Sequence, residues 1–150
     1  MLTKPGKLSF SFVLTLLATS SFAGTKTPEM LNPDQITWRE LPGHTELQYA
    51  VLAGNPLQKG IFTVRLKMPK DYSDIIHTHQ LPRYDTVISG AMYVGFGDKI
   101  DREKTVELIA GSFISCPADI KHYGFTKDET VVQISGNGPW EVLKSSGKKR

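Results

Sequence analysis

Punctuation constrains this chain more than any single motif. Short apolar runs recur through it: LQYAVLA (47–53), IFTVRLKM (61–68), YDTVISG (84–90), AMYVGFG (91–97), TVELIA (105–110), SFISC (112–116), TVVQIS (130–135) and WEVL (140–143). Turn signals separate them, among them AGNPLQKG, MPKDYSD, GDKIDREK, CPADI, TKDE and GNGP. In the second run Phe62, Val64, Leu66 and Met68 alternate with Thr63, Arg65 and Lys67, the period of a strand with one buried and one wet face. The segment closest to a helix, DREKTVELIAG, alternates from Thr105 to Ile109 and is stopped by Gly111. Even spacing of many short strands predicts an all-β, antiparallel sandwich or barrel. No solenoid or propeller repeat is present.

The N-terminus is read separately. Lys4 and Lys7 precede an apolar run from Leu8 to Ala18, and small and polar residues follow, ending SSFAG. Ser21 and Ala23 suit the minus-three and minus-one positions of a signal-peptidase site, so residues 1–23 are expected to be a signal peptide and Gly24 the first mature residue. The run is broken by Ser and Thr and is shorter than the roughly 20 residues of a spanning helix, so no stable membrane association is expected after cleavage. This predicts an exported protein, periplasmic or secreted. A polar lead (24–45), one strand-rich domain (46–143) and a basic tail (144–150) follow.

Charge and cysteine content narrow the functions. The formal net charge is +3, but removing Lys4 and Lys7 from the 18 basic residues leaves 16 against 15 acidic ones. Three of the remainder are the terminal Lys148, Lys149 and Arg150, so no basic face for nucleic acid emerges. Cys116 is the only cysteine, which excludes an intramolecular disulfide and a lipid-attached N-terminus. A mature chain of about 127 residues suffices for one core.

Three of the four histidines carry the candidate chemistry: His77, His79 and His122. Alternate residues of a strand share a face, so His77 and His79 present two imidazoles to one side, roughly 6.5–7 Å apart at Cα. Two nitrogens at about 2.0–2.1 Å from one ion are then within reach, and His122, after the turn CPADIK, offers a third. Such a site should bring the three nitrogens within about 4 Å of one another.

Two stretches, HTHQLPRYDTVISG (77–90) and GSFISCPADIKHYGF (111–125), resemble the two motifs of the cupin superfamily. His77, His79 and Gly90 match the first motif, and Arg83 stands where it has an acid. Gly111, Pro117 and His122 match the second; Asp119 replaces its second glycine and Thr126 its terminal Asn. The similarity spans roughly residues 46–143 and implies an antiparallel double-stranded β-barrel of jelly-roll type. It also implies a homodimer and a small-molecule ligand or substrate. A metal of the kind cupins hold, Fe, Mn, Ni or Zn, would be bound by His77, His79 and His122, with Asp85 as a substitute fourth ligand or as the partner of Arg83. The activities implied range from a metal-dependent dioxygenase, isomerase or hydrolase to non-catalytic binding or sensing with a metal-free site. An inward Arg83 would repel a cation or orient an anionic group of the substrate; an outward one would leave a three-histidine site.

Other residues have plainer roles. Cys116 reads as a small buried hydrophobe, and Tyr84 and Tyr123 as facing away from their neighbours Arg83 and His122. Trp38 and Trp140 read as packing or interface residues, and Phe96, Phe113 and Phe125 as core. The close glycines of GFGD and GNGP do not lie between a strand and a helix, so phosphate binding is not expected.

Overall fold

The computed structural model describes residues 28–141 and 143–144; the expected signal peptide and residues 145–150 lie outside them. Among the described residues, eleven strands form two antiparallel sheets. They are β1 (Arg39–Leu41), β2 (His44–Ala53), β3 (Gly60–Met68), β4 (His77–Thr78), β5 (Arg83–Ser89), β6 (Ala91–Phe96), β7 (Val106–Ile109), β8 (Phe113–Cys116), β9 (His122–Thr126), β10 (Thr130–Gly138) and β11 (Leu143–Lys144). One sheet has the order β1-β2-β3-β10-β5-β8 and the other β11-β4-β9-β6-β7. Among the described residues the first strand starts at Arg39, inside the expected polar lead, and Lys144, expected in the tail, ends β11.

Period-two patterning sets the core. Phe62, Val64 and Met68 of β3 are buried, with Leu47 of β2, Val87 of β5, and Val132 and Ile134 of β10. Met92 of β6 and Leu108 of β7, from the other sheet, pack against them, so the core lies between the sheets. β10 pairs with β3 from Thr130 opposite Met68 to Gly138 opposite Gly60, and with β5 on its other side.

β5 and β6 are consecutive yet lie in different sheets, and Gly90 makes the crossing. Its φ is +74°, and a Cβ there would sit 2.5 Å from the Glu129 carbonyl oxygen, so only glycine fits. The segment before β7 is a short 3-10 turn, Arg102–Lys104, capped by Asp101.

The phenylalanines divide. Phe125 is buried, but Phe96 and Phe113 are 52% and 60% exposed, contrary to the core expectation. Phe113 lies on edge strand β8 and stacks on the exposed Tyr84, with ring centroids 6.2 Å apart. Tyr123 faces away from the histidines but is buried, because the β6–β7 connection covers that side of β9. Its hydroxyl accepts from the Asp101 N–H at 2.8 Å and donates to the Asp101 carbonyl at 2.9 Å.

Phe62→Ala should cost about 3–5 kcal/mol of stability, the usual loss for a buried phenylalanine. Urea unfolding measures it, and a cost under about 1 kcal/mol would remove Phe62 from the core.

Candidate metal centre

Strand pairing assembles the cluster. His77 of β4 lies opposite His122 of β9, and His79 follows two residues on, one pleat period along the same face. All three are buried, with ring centroids 4.3 Å apart for His77 and His122, 5.0 Å for His77 and His79, and 5.2 Å for His79 and His122. The turn of the second motif holds His79 in place: the Asp119 N–H donates to the His79 carbonyl at 2.8 Å. Asp119, which replaces a motif glycine, has φ +61°, a left-handed conformation that aspartate tolerates better than most residues. Thr126, in place of the motif Asn, donates to the Pro69 carbonyl at 2.7 Å.

Backbone carbonyls orient every imidazole. His77 Nδ1 lies 2.8 Å from the Ile75 oxygen and 3.3 Å from Asp74 Oδ2. The His79 and His122 Nδ1 atoms each lie 2.8 Å from a carbonyl, of Glu141 and Ile120 respectively. A carbonyl can only accept, so each Nδ1 carries the hydrogen and, in the neutral ring, Nε2 keeps its lone pair. Burial first, with the Arg83 charge also contributing, lowers the pKa of His79 from 6.5 to about 3. Burial, chiefly, lowers His122 to about 4.

Arg83 points inward. It is the first residue of β5, in the opposite sheet, and is 9% exposed. Its Nη1 donates to His79 Nε2 at 2.5 Å and its Nη2 to His122 Nε2 at 3.1 Å. Its Nε lies 3.1 Å from Asp85 Oδ2. That N–H is misdirected, so the contact is an ion pair rather than a hydrogen bond, and Arg83 Nε and Asp85 Oδ1 remain buried without hydrogen-bond partners. Burial raises the Asp85 carboxyl above its ordinary pKa, while the guanidinium pulls it back. Asp85 thus sits beside Arg83 as its counter-charge.

The donor set and the arginine give opposite answers for a metal. Three buried imidazoles with anchored Nδ1 atoms are a set that could hold a divalent ion. Their ligand atoms lie within 4.8 Å of one another, beyond the expected 4 Å; two nitrogens sharing an ion at about 2.1 Å are at most about 4.2 Å apart. The guanidinium does not fit: it covers two of the three lone pairs with a permanent charge and cannot coordinate. With Arg83 in this position an ion has no place.

The sequence reading missed Trp140 as part of the site. Its ring lies 6.4 Å from that of His79 and 5.9 Å from that of Phe62, and its indole Nε1 is buried without a hydrogen-bond partner. It shares a cleft of about 10 Å³ with Phe62, His79, Leu81, Arg83 and Pro139. No local pattern marks Trp140, because the β10–β11 connection brings it in. Cys116 is buried as expected, 3.9 Å from His122 Nδ1, and burial raises its thiol pKa, so it is no reactive nucleophile. A larger depression of about 370 Å³, lined by Phe96, Asp98, Lys99, Asp101, Lys104 and Tyr123, lies on the other side of β9.

No family model matches the sequence, and no curated protein matches it. Solved structures are similar in fold. An RmlC-like cupin from Shewanella frigidimarina NCIMB 400 shares 16% identity at TM-score 0.58, covering 74% of this chain and 91% of that one. The polyketide cyclase RemF from Streptomyces resistomycificus shares 15% at TM-score 0.65, covering 82% and 89%. A cupin superfamily protein from Desulfitobacterium hafniense DCB-2 shares 14% at TM-score 0.55, covering 74% and 93%. The chain has the cupin fold, a two-sheet antiparallel jelly roll; identities this low carry the fold and not the activity.

Acid should loosen the cluster. The unfolded chain protonates His79 and His122 near 6.5 and the folded chain only near 3 and 4, so between these values the unfolded state binds more protons. Their contribution to stability is complete above about 6.5 and declines as pH falls towards 4. The facing groups His77, Arg83, Asp85 and Cys116 stay the same in a His122→Gln variant, whose urea midpoint should decline less steeply with acid. Equal slopes would exclude His122 from the effect.

Proposed function

We propose that this protein is an exported cupin that binds a small molecule through an acceptor group, carboxylate or carbonyl, at the cleft where Arg83, His79 and Trp140 meet. The observation that carries this reading is the supply of buried donors: Trp140 Nε1 and Arg83 Nε both lack hydrogen-bond partners, and Trp140 and Arg83 both line the cleft. A buried donor is satisfied at a gain when an oxygen reaches it, and a charge-assisted bond to guanidinium is the stronger kind. The cleft has room for about one water-sized group. One functional group therefore enters, while the rest of the ligand lies across Leu81 and Pro139. Binding or sensing needs no more than this.

The second reading is a divalent ion, Fe, Mn, Ni or Zn, held by His77, His79 and His122 and serving an enzyme that acts on the same small molecule. The three carbonyl-anchored Nδ1 atoms favour it. It requires the Arg83 fork to leave, so no catalytic step is built on it. Export rests on the signal sequence, and mass spectrometry of the processed protein should give an N-terminus at Gly24. A homodimer is supported by the exposed Tyr84–Phe113 stack beside edge strand β8. A monomer mass in light scattering would remove it.

Thermal shift with acetate, malonate and pyruvate, each against its amide, tests the ligand class. The acids should raise the Tm more than the amides, and Trp140→Phe should weaken acid binding about 10- to 100-fold, the worth of a hydrogen bond to a charged group. No shift with any acid, or an unchanged Trp140→Phe, would overturn the reading.

A further inference from the structure

The geometry points to Arg83 as a built-in occupant of the histidine cluster, a tethered cation in place of a metal ion, so that residue 83 alone decides whether this cupin is a metalloprotein. This deepens the proposed metal-free binding site and rests on it.

Three observations converge. The fork of Arg83 reaches the lone pairs of His79 and His122 at once, with its Nη1 and Nη2. Those lone pairs are where an ion would bind, because every Nδ1 is committed to a carbonyl. Asp85, 5% exposed, lies beside the guanidinium as its only anionic partner among the described residues. With neutral imidazoles, the +1 of Arg83 and the −1 of Asp85 cancel.

The same count identifies the replacement that should admit metal. In Arg83→Glu the new carboxylate and Asp85 together carry −2, the balance for one divalent ion among three histidines. In Arg83→Ala the ion plus Asp85 leaves +1, so binding should be weaker but present. The unaltered chain faces the ion with a guanidinium already hydrogen-bonded to two ligands. Arg83 cannot retreat cheaply: withdrawal breaks both bonds and strands Asp85 as an uncompensated buried charge.

The test is titration with Co2+, read by its visible d–d absorption and by metal content after desalting. Arg83→Glu should take up about one equivalent per chain. Arg83→Ala should bind with intermediate affinity, and the unaltered protein at least about 100-fold more weakly than Arg83→Glu. Adding His122→Ala to Arg83→Glu should abolish uptake. If the apo variants fold poorly, circular dichroism should show Co2+ restoring them; variants that stay unfolded with Co2+, or fold and bind none, overturn the inference. One equivalent on the unaltered chain, as tight as on Arg83→Glu, overturns it too. The acid-ligand reading is judged separately, on the thermal shift of the unaltered protein, so failure of one is distinguishable from failure of the other.

Discussion

The site depends on one bridge between the two sheets. Arg83 starts β5 in the six-stranded sheet, and its fork ends on His79 and His122, beside and within the five-stranded sheet. Elsewhere the sheets meet through apolar side chains such as Phe62, Met68 and Met92, whose attraction has no direction. The guanidinium adds direction. It links His79 to His122 and has Asp85, two residues along the same strand face, at its flank.

The imidazoles around that bridge are each held by a backbone contact as well. Each ring hangs from a carbonyl by Nδ1, and the carbonyls come from three segments: the approach to β4, the end of the turn before β9, and the connection before β11. The imidazole Nδ1–H groups donate, and the acceptors are backbone carbonyls held just ahead of β4, β9 and β11. Those carbonyls orient the side chains. Low pKa values at His79 and His122 follow from the same burial and keep the rings as acceptors.

Much of this was legible in the sequence, for identifiable reasons. Period two in IFTVRLKM has one outcome on a pleated strand, and the structure buries Phe62, Val64 and Met68 accordingly. His77, His79 and His122 meet because strand alternation and the second motif leave them little choice. The exposure of Phe96 and Phe113 is not legible because hydrophobicity alone does not say which face of a strand is covered. Tyr123 shows the converse: its direction was readable, but its burial depends on the β6–β7 connection folding over it. Trp140 was invisible as a site residue because a connection between strands carries it there. The sequence allows an inward or an outward Arg83, and the packed structure turns it inward.

Arginine is also the one common side chain that suits this position in the absence of an ion. An apolar residue would leave two imidazole lone pairs and the Asp85 carboxylate buried without partners, and each orphaned polar group costs about 1–3 kcal/mol. Lysine would supply a charge, but a compact ammonium is poorly shaped to span two separate Nε2 atoms while pairing with a carboxylate on its flank. The planar fork turns Nη1 and Nη2 to the two imidazoles, and the same guanidinium lies in ion-pair contact with Asp85. With arginine at position 83, two of the three histidines are joined by hydrogen bonds to a guanidinium. Its Nη1 and Nη2 occupy the lone pairs of His79 and His122, so the charge that faces these rings is a fixed guanidinium.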